Sequence, residues 1–136
     1  MPQENLEIVR SAYAALAERG LEAVLELADP AFETTTPAAL ASEPGTYRGH
    51  DGIRRWFASF GDAMEDVRLE AQELTAVGDK VVVETMLRAR GRATGIETKQ
   101  RAFLVWTLRD GRLMRLDTFA ERGQALAAAG LPDPSA

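Results

Sequence analysis

The 136-residue sequence contains no cysteine, which excludes disulfides, thiolate nucleophiles and cysteine-held metals. It has one histidine, His50, whereas a zinc centre without cysteine needs several imidazoles. It lacks a G-x-x-x-x-G-K loop and a strand-linked G-x-G-x-x-G turn, and its few serines lie in no G-x-S-x-G setting. No cofactor or metal is implied. No apolar run approaches the length of a membrane span, and the opening "MPQENLEIVR" has no apolar signal core. A cytoplasmic location with no membrane partner is therefore expected. Basic charge is also in deficit. A net charge of −5 disfavours nucleic acid, because neutralising phosphates takes a basic surface.

Apolar residues make up 46% of the chain and charged residues 27%, as in a soluble globular protein. One domain over residues 1–136 is expected, with residues 132–136 a frayed tail. Leu6, Val9, Tyr13 and Leu16 recur at helical spacing, so the spacing predicts a helix over 4–19 that ends at Gly20. A shorter helix follows and stops at Asp29-Pro30. "AFETTTP" reads as a small strand and "AALASEPGTYRG" as a loop. Ile53, Trp56, Phe57 and Phe60 line one face of a third helix over 51–64. From Val67 the period becomes that of strands. Turns are expected at Gly78-Asp79 and Asp110-Gly111, and "ERGQALAAAGL" reads as a closing helix. Helices followed by antiparallel strands make an α+β pattern. Arg88, Arg90, Arg92, Lys99 and Arg101 cluster around one hairpin, as a solvated or interface face or as an anion site.

The segments "ENLEIVRSAYAALAERGLEAVLELADPAFE", "YRGHDGIRRWF", "GDKVVVE", "VWTLRDGRLMRLDTF" and "ALAAAGL" come in an order that resembles the SnoaL-like polyketide cyclases. These form a branch of the nuclear-transport-factor-2-like superfamily, and the resemblance covers nearly the whole chain. It implies a cone, in which a strongly curved, mainly antiparallel sheet wraps around N-terminal helices and leaves a central pocket. It also implies a homodimer through the convex sheet face, and a small hydrophobic or mixed-polarity molecule as ligand. The scaffold hosts cyclases, isomerases, dehydratases, epoxide hydrolases and non-catalytic modules, so fold alone does not assign activity.

Matching the last strand to steroid-isomerase relatives turns Arg115, Asp117 and Phe119 inward. Asp117 paired with Arg115 then reads either as an acid–base group or as a structural ion pair. His50 reads either as a third catalytic residue or as the start of a helix beside the pocket rim. Expected pocket walls are Tyr13, Phe32, Thr34, Trp56, Phe57, Leu104 and Trp106. Glu84, Met86 and Arg88 share one strand face, read as pocket-facing with the dimer surface as the alternative. The isomerase base falls near Thr34 and its oxyanion acid near Leu104, so this sequence departs from that pattern at both positions. Limonene epoxide hydrolases use an additional aspartate, and scytalone-dehydratase-like chemistry a second histidine. The readings are thus a small acid–base enzyme of the cyclase, isomerase or hydrolase kind, a non-catalytic ligand-binding dimer, or a protein-binding adaptor.

Overall fold

The computed structural model describes residues 2–36, 45–61 and 64–131. Helix α1 (Pro2–Arg19) is followed by the short α2 (Leu21–Leu25). Strands β1 (Ala28–Thr36) and β2 (Gly45–Arg48) precede α3 (Gly49–Gly61). Then come β3 (Met64–Val77), β4 (Lys80–Gly91), β5 (Glu97–Arg109) and β6 (Arg112–Phe119), and α4 (Arg122–Ala128) is the last of the described elements. Alanine, leucine, glutamate and arginine dominate α1, and all favour helix. Gly20 stops it at φ 90°, a conformation that suits only glycine, while its N–H caps Ala15 and Leu16 carbonyls at 3.1 Å.

Three local expectations shift. The second helix ends at Leu25, so Asp29 and Pro30 lie within β1. Thr46, Tyr47 and Arg48 pair with β1 as β2. Met64 opens β3 instead of ending α3. The expected loop over 38–49 and the frayed tail fall largely outside the described residues. The Asp110-Gly111 hairpin forms as the sequence dictates. Both residues have positive φ, 52° and 77°, and Arg109 pairs directly with Arg112.

Among the described residues, six strands run in the order β2-β1-β6-β5-β4-β3. Four neighbouring pairs are antiparallel, and β1 with β6 is parallel. The expected cone is thereby corrected. The sheet is mixed and open, with β2 and β3 as separate edges, and it neither closes nor curves strongly around the helices. The reason is topological: β1 returns beside β6 through a parallel pairing, which leaves β2 and β3 at opposite ends of the sheet.

Burial separates the two faces. On the inner face, α1 packs on β3 and β4, and α3 on β1, β2 and β3. Val9, Val81, Val83, Leu104, Trp106, Leu113 and Leu116 form its core. Each such leucine contributes about 1.5–3 kcal/mol by leaving water. On the outer face a smaller cluster joins Val82, Phe103 and Val105 to Ala125 of α4, with Phe119 against it. Register slips between β5 and β6, from Thr107 opposite Arg115 to Leu108 opposite Leu113. Met114 is the extra residue of that bulge, so Leu113 and Leu116 both reach the inner core.

Candidate functional site

A crevice of about 40 Å³ lies between the helices and the inner sheet face. Such a volume holds only about three water molecules. Helix α1 supplies Ala12, Tyr13 and Leu16, and α3 supplies Ile53, Trp56 and Phe57. The sheet supplies Phe32, Thr34, Trp106, Leu113 and Leu116. Helical spacing brings the α1 and α3 residues to one side of each helix, and strand alternation turns the sheet residues to meet them.

The polar side-chain atoms of Tyr13, Thr34 and Trp106 at this crevice are bound to protein. Trp106 Nε1–H donates to the Tyr13 hydroxyl at 3.3 Å. Tyr13 and Thr85 Oγ1 are 2.9 Å apart, and Thr85 Oγ1 donates to the Val83 carbonyl at 3.2 Å. With Thr85 committed as a donor, the Tyr13 hydroxyl donates to it. The Thr34 hydroxyl donates to the Leu116 carbonyl at 3.0 Å. Burial pushes Tyr13 from 10.0 up to about 12, against the opposing hydrogen bonds with Thr85 and Trp106. Tyr13 therefore stays neutral across the physiological range. It offers a ligand neither a base nor a spare proton. The ring of Trp106 meets Tyr13 edge-on, with centroids 6.0 Å apart, and leans on Phe32 at 6.4 Å.

An ionic network that joins three strands lies on the other side of the sheet. Arg115 Nε donates to both Asp117 oxygens at 3.1 and 2.9 Å, and its Nη1 donates to Glu33. Arg48 Nε donates to the second Glu33 oxygen at 3.1 Å. Thr35 accepts from Arg115 at 3.4 Å and bonds Thr46 at 2.9 Å. The network ties β6, β1 and β2 together. The bonds to Asp117, with the charges of Asp117 and Glu33, raise Arg115 above its ordinary pKa.

The SnoaL-like domain family matches residues 9–116. The chain belongs to that family, within the NTF2-like superfamily. Among solved structures, an NTF2-like protein from Burkholderia thailandensis is 27% identical, with a TM-score of 0.77 over 94% of this chain and 98% of that one. TerC, co-crystallized with polyporic acid, is 26% identical, with a TM-score of 0.77 over 93% of this chain and 97% of its own. An NTF2-like protein of unknown function from Burkholderia pseudomallei, at 23% identity and a TM-score of 0.77, shares the fold over 93% of this chain and 97% of that one. No curated protein matches the sequence.

Within this SnoaL-like chain, the expected site residues divide between the faces. Tyr13, Phe32, Thr34, Trp56, Phe57 and Trp106 line the crevice. Leu104 belongs to the inner core but does not line it. Arg115 and Asp117 do not face it, which corrects their expected inward orientation. The bulge at Met114 sends Leu113 and Leu116 inward, and Arg115 and Asp117, on either side of Leu116, outward. Phe119 packs instead in the outer cluster beside α4. Glu84 also points outward, to Arg101 at 3.4 Å and Arg122 at 3.2 Å. Met86 shares its face, and Arg88 bonds Glu70 there at 2.5 Å. Burying Leu116 is favourable, whereas burying Arg115 and Asp117 would cost desolvation of two ions.

His50 lies in the first turn of α3, and its Nε2 is 3.0 Å from the Ala28 carbonyl. A carbonyl only accepts, so Nε2 carries the proton and the ring fastens α3 to β1. His50 does not line the crevice. Sequence reasoning missed Ala12, Leu16, Ile53, Leu113 and Leu116 as lining residues. Their helical or strand periodicity was the available signal. Among the described residues, no group of histidine, aspartate and glutamate is placed to hold a metal, and no helix is long and apolar enough to cross a membrane.

Proposed function

We propose that this SnoaL-like protein binds a small apolar molecule in the crevice between α1, α3 and the sheet, without acting on it. One observation carries this reading: at the crevice, the hydroxyls of Tyr13 and Thr34 and the indole N–H of Trp106 are engaged by protein partners. Among the described residues that line it, none is an acid or base that titrates near neutrality. Acid–base turnover by Asp117, Arg115 and His50 would need these groups at the ligand, and they stand elsewhere. Apolar walls favour burying an apolar guest, and the committed polar atoms give such a guest little to hydrogen-bond. TerC, which was co-crystallized with polyporic acid, supports small-molecule binding in this family.

A second copy against the outer sheet face goes with this reading as the expected partner. It would meet an ionic surface at the β2–β1–β6 end, where Arg115, Glu33 and Arg48 are paired. Ile96 is the one large apolar side chain that stands exposed among the described residues.

Thermal melting against a panel of small apolar compounds tests the crevice. A ligand that binds only the folded state raises the midpoint with concentration. Ala12→Phe fills the space and is expected to abolish that response. Asp117→Asn is expected to keep the response and to cost at most about 1 kcal/mol of stability, as for other partly exposed ion pairs. A response that survives in Ala12→Phe, or disappears in Asp117→Asn, contradicts the assignment.

A further inference from the structure

The outer face carries a second feature, at the end of the sheet away from α4. Register puts Arg68 of β3 opposite Arg88 of β4, and Arg88 opposite Lys99 of β5. Directly opposed residues project on the same face, so three cations form one row across three strands. With strands about 4.8 Å apart, the row spans about 10 Å at the backbone. Like charges directly opposite one another destabilise a sheet.

Internal pairing relieves only the middle of this row. Arg88 bonds Glu70 at 2.5 Å. Among the described residues, Arg68 and Lys99, on either side, have no ion pair or hydrogen-bond partner. The row lines a groove of about 420 Å³. The groove's two carboxylates, Asp66 and Glu97, both turn to Arg90, at 3.5 and 3.0 Å. With Glu70 on Arg88, the row keeps the two positive charges of Arg68 and Lys99, beside a neighbouring group in which two carboxylates share one guanidinium. On a chain of net charge −5, the row is a local reversal of sign.

We propose that the Arg68–Arg88–Lys99 row is a binding site for a small molecule bearing a diphosphate group. A single carboxylate cannot bridge cations on the first and third strands. Two linked phosphoryl groups can, one toward Arg68 and one toward Lys99, with the bridging oxygen above Arg88. Guanidinium matches phosphate oxygens in a planar fork, and ammonium adds a mobile point charge. The site lies on the face opposite the apolar crevice and does not depend on it.

Inorganic pyrophosphate is the probe, followed by thermal melting at low ionic strength. Inorganic phosphate and potassium chloride at matched ionic strength are the controls. Pyrophosphate should raise the midpoint saturably, phosphate should act more weakly, and chloride should give no saturable rise. Arg68→Gln and Lys99→Gln should each weaken half-saturation by about tenfold, as expected for one lost charge-assisted hydrogen bond. Without pyrophosphate, the same variants should melt higher than the parent, because each removes a like-charge opposition. That opposite movement of intrinsic stability and ligand response separates a binding role from a structural one. The proposal is overturned if pyrophosphate does no more than chloride, if phosphate equals pyrophosphate, or if either variant keeps the parent's affinity.

Discussion

Trp106→Ala is expected to lower stability by about 3–5 kcal/mol, as for large aromatic truncations in packed cores. Trp106 is 7% exposed and forms part of both the inner core and the crevice wall. Truncation removes its edge contact with Tyr13 and its packing on Phe32. It also removes the N–H that the Tyr13 hydroxyl accepts. The space left has the shape of the lost ring and joins the existing crevice. Added indole should therefore recover part of the loss, in a saturable way, while leaving the parent protein nearly unchanged. Urea unfolding with and without indole measures both effects. A loss below about 1 kcal/mol would mean that Trp106 lies at a site free to collapse.

The second large effect is expected in alkali. Tyr13 titrates at about 12 when folded and near 10.0 when unfolded. Between these values the unfolded chain releases a proton that the folded protein keeps. The unfolded state thus binds fewer protons, and stability falls as pH rises. The contribution is fully present below pH 10, declines through pH 10 to 12, and amounts to about 3 kcal/mol at two pKa units. Tyr13→Phe removes this slope. It should cost about 1–3 kcal/mol at neutral pH, because the Trp106 N–H loses its acceptor and Thr85 loses an incoming bond. Denaturant midpoints at pH 9 and pH 11.5 provide the measurement. The difference between parent and Tyr13→Phe isolates Tyr13 from the other groups that titrate in alkali. Equal slopes in both proteins would show that the hydroxyl reaches solvent.

Local chemistry made several elements legible in the sequence. The 3–4 spacing of Val9, Tyr13 and Leu16 marks α1, and Asp110-Gly111 marks the β5–β6 hairpin to the residue. The aromatic walls of the crevice were also readable, because Trp56, Phe57 and Trp106 lie on apolar stripes. Non-local geometry was not. Pairing of β1 with β6 depends on residues more than 80 positions apart, and no local pattern specifies its parallel sense. Alternation divides "RLMRLDTF" into two sets but does not say which set is buried. A one-residue bulge also breaks the alternation itself. The outward turn of Arg115 becomes intelligible only beside Glu33, its partner across that pairing. The openness of the sheet likewise follows from strand order, which period and composition do not encode.

A crystal of the parent protein under xenon pressure locates an apolar guest without relying on any choice of ligand, since xenon enters dry apolar cavities and ignores polar ones. The expected result is a xenon atom on the inner face, bounded by Phe32, Trp56 and Leu116, with Arg115 and Asp117 still bonded to each other on the far side. Xenon absent from that space, or water held there by a free acid or base, would contradict a crevice built for apolar binding.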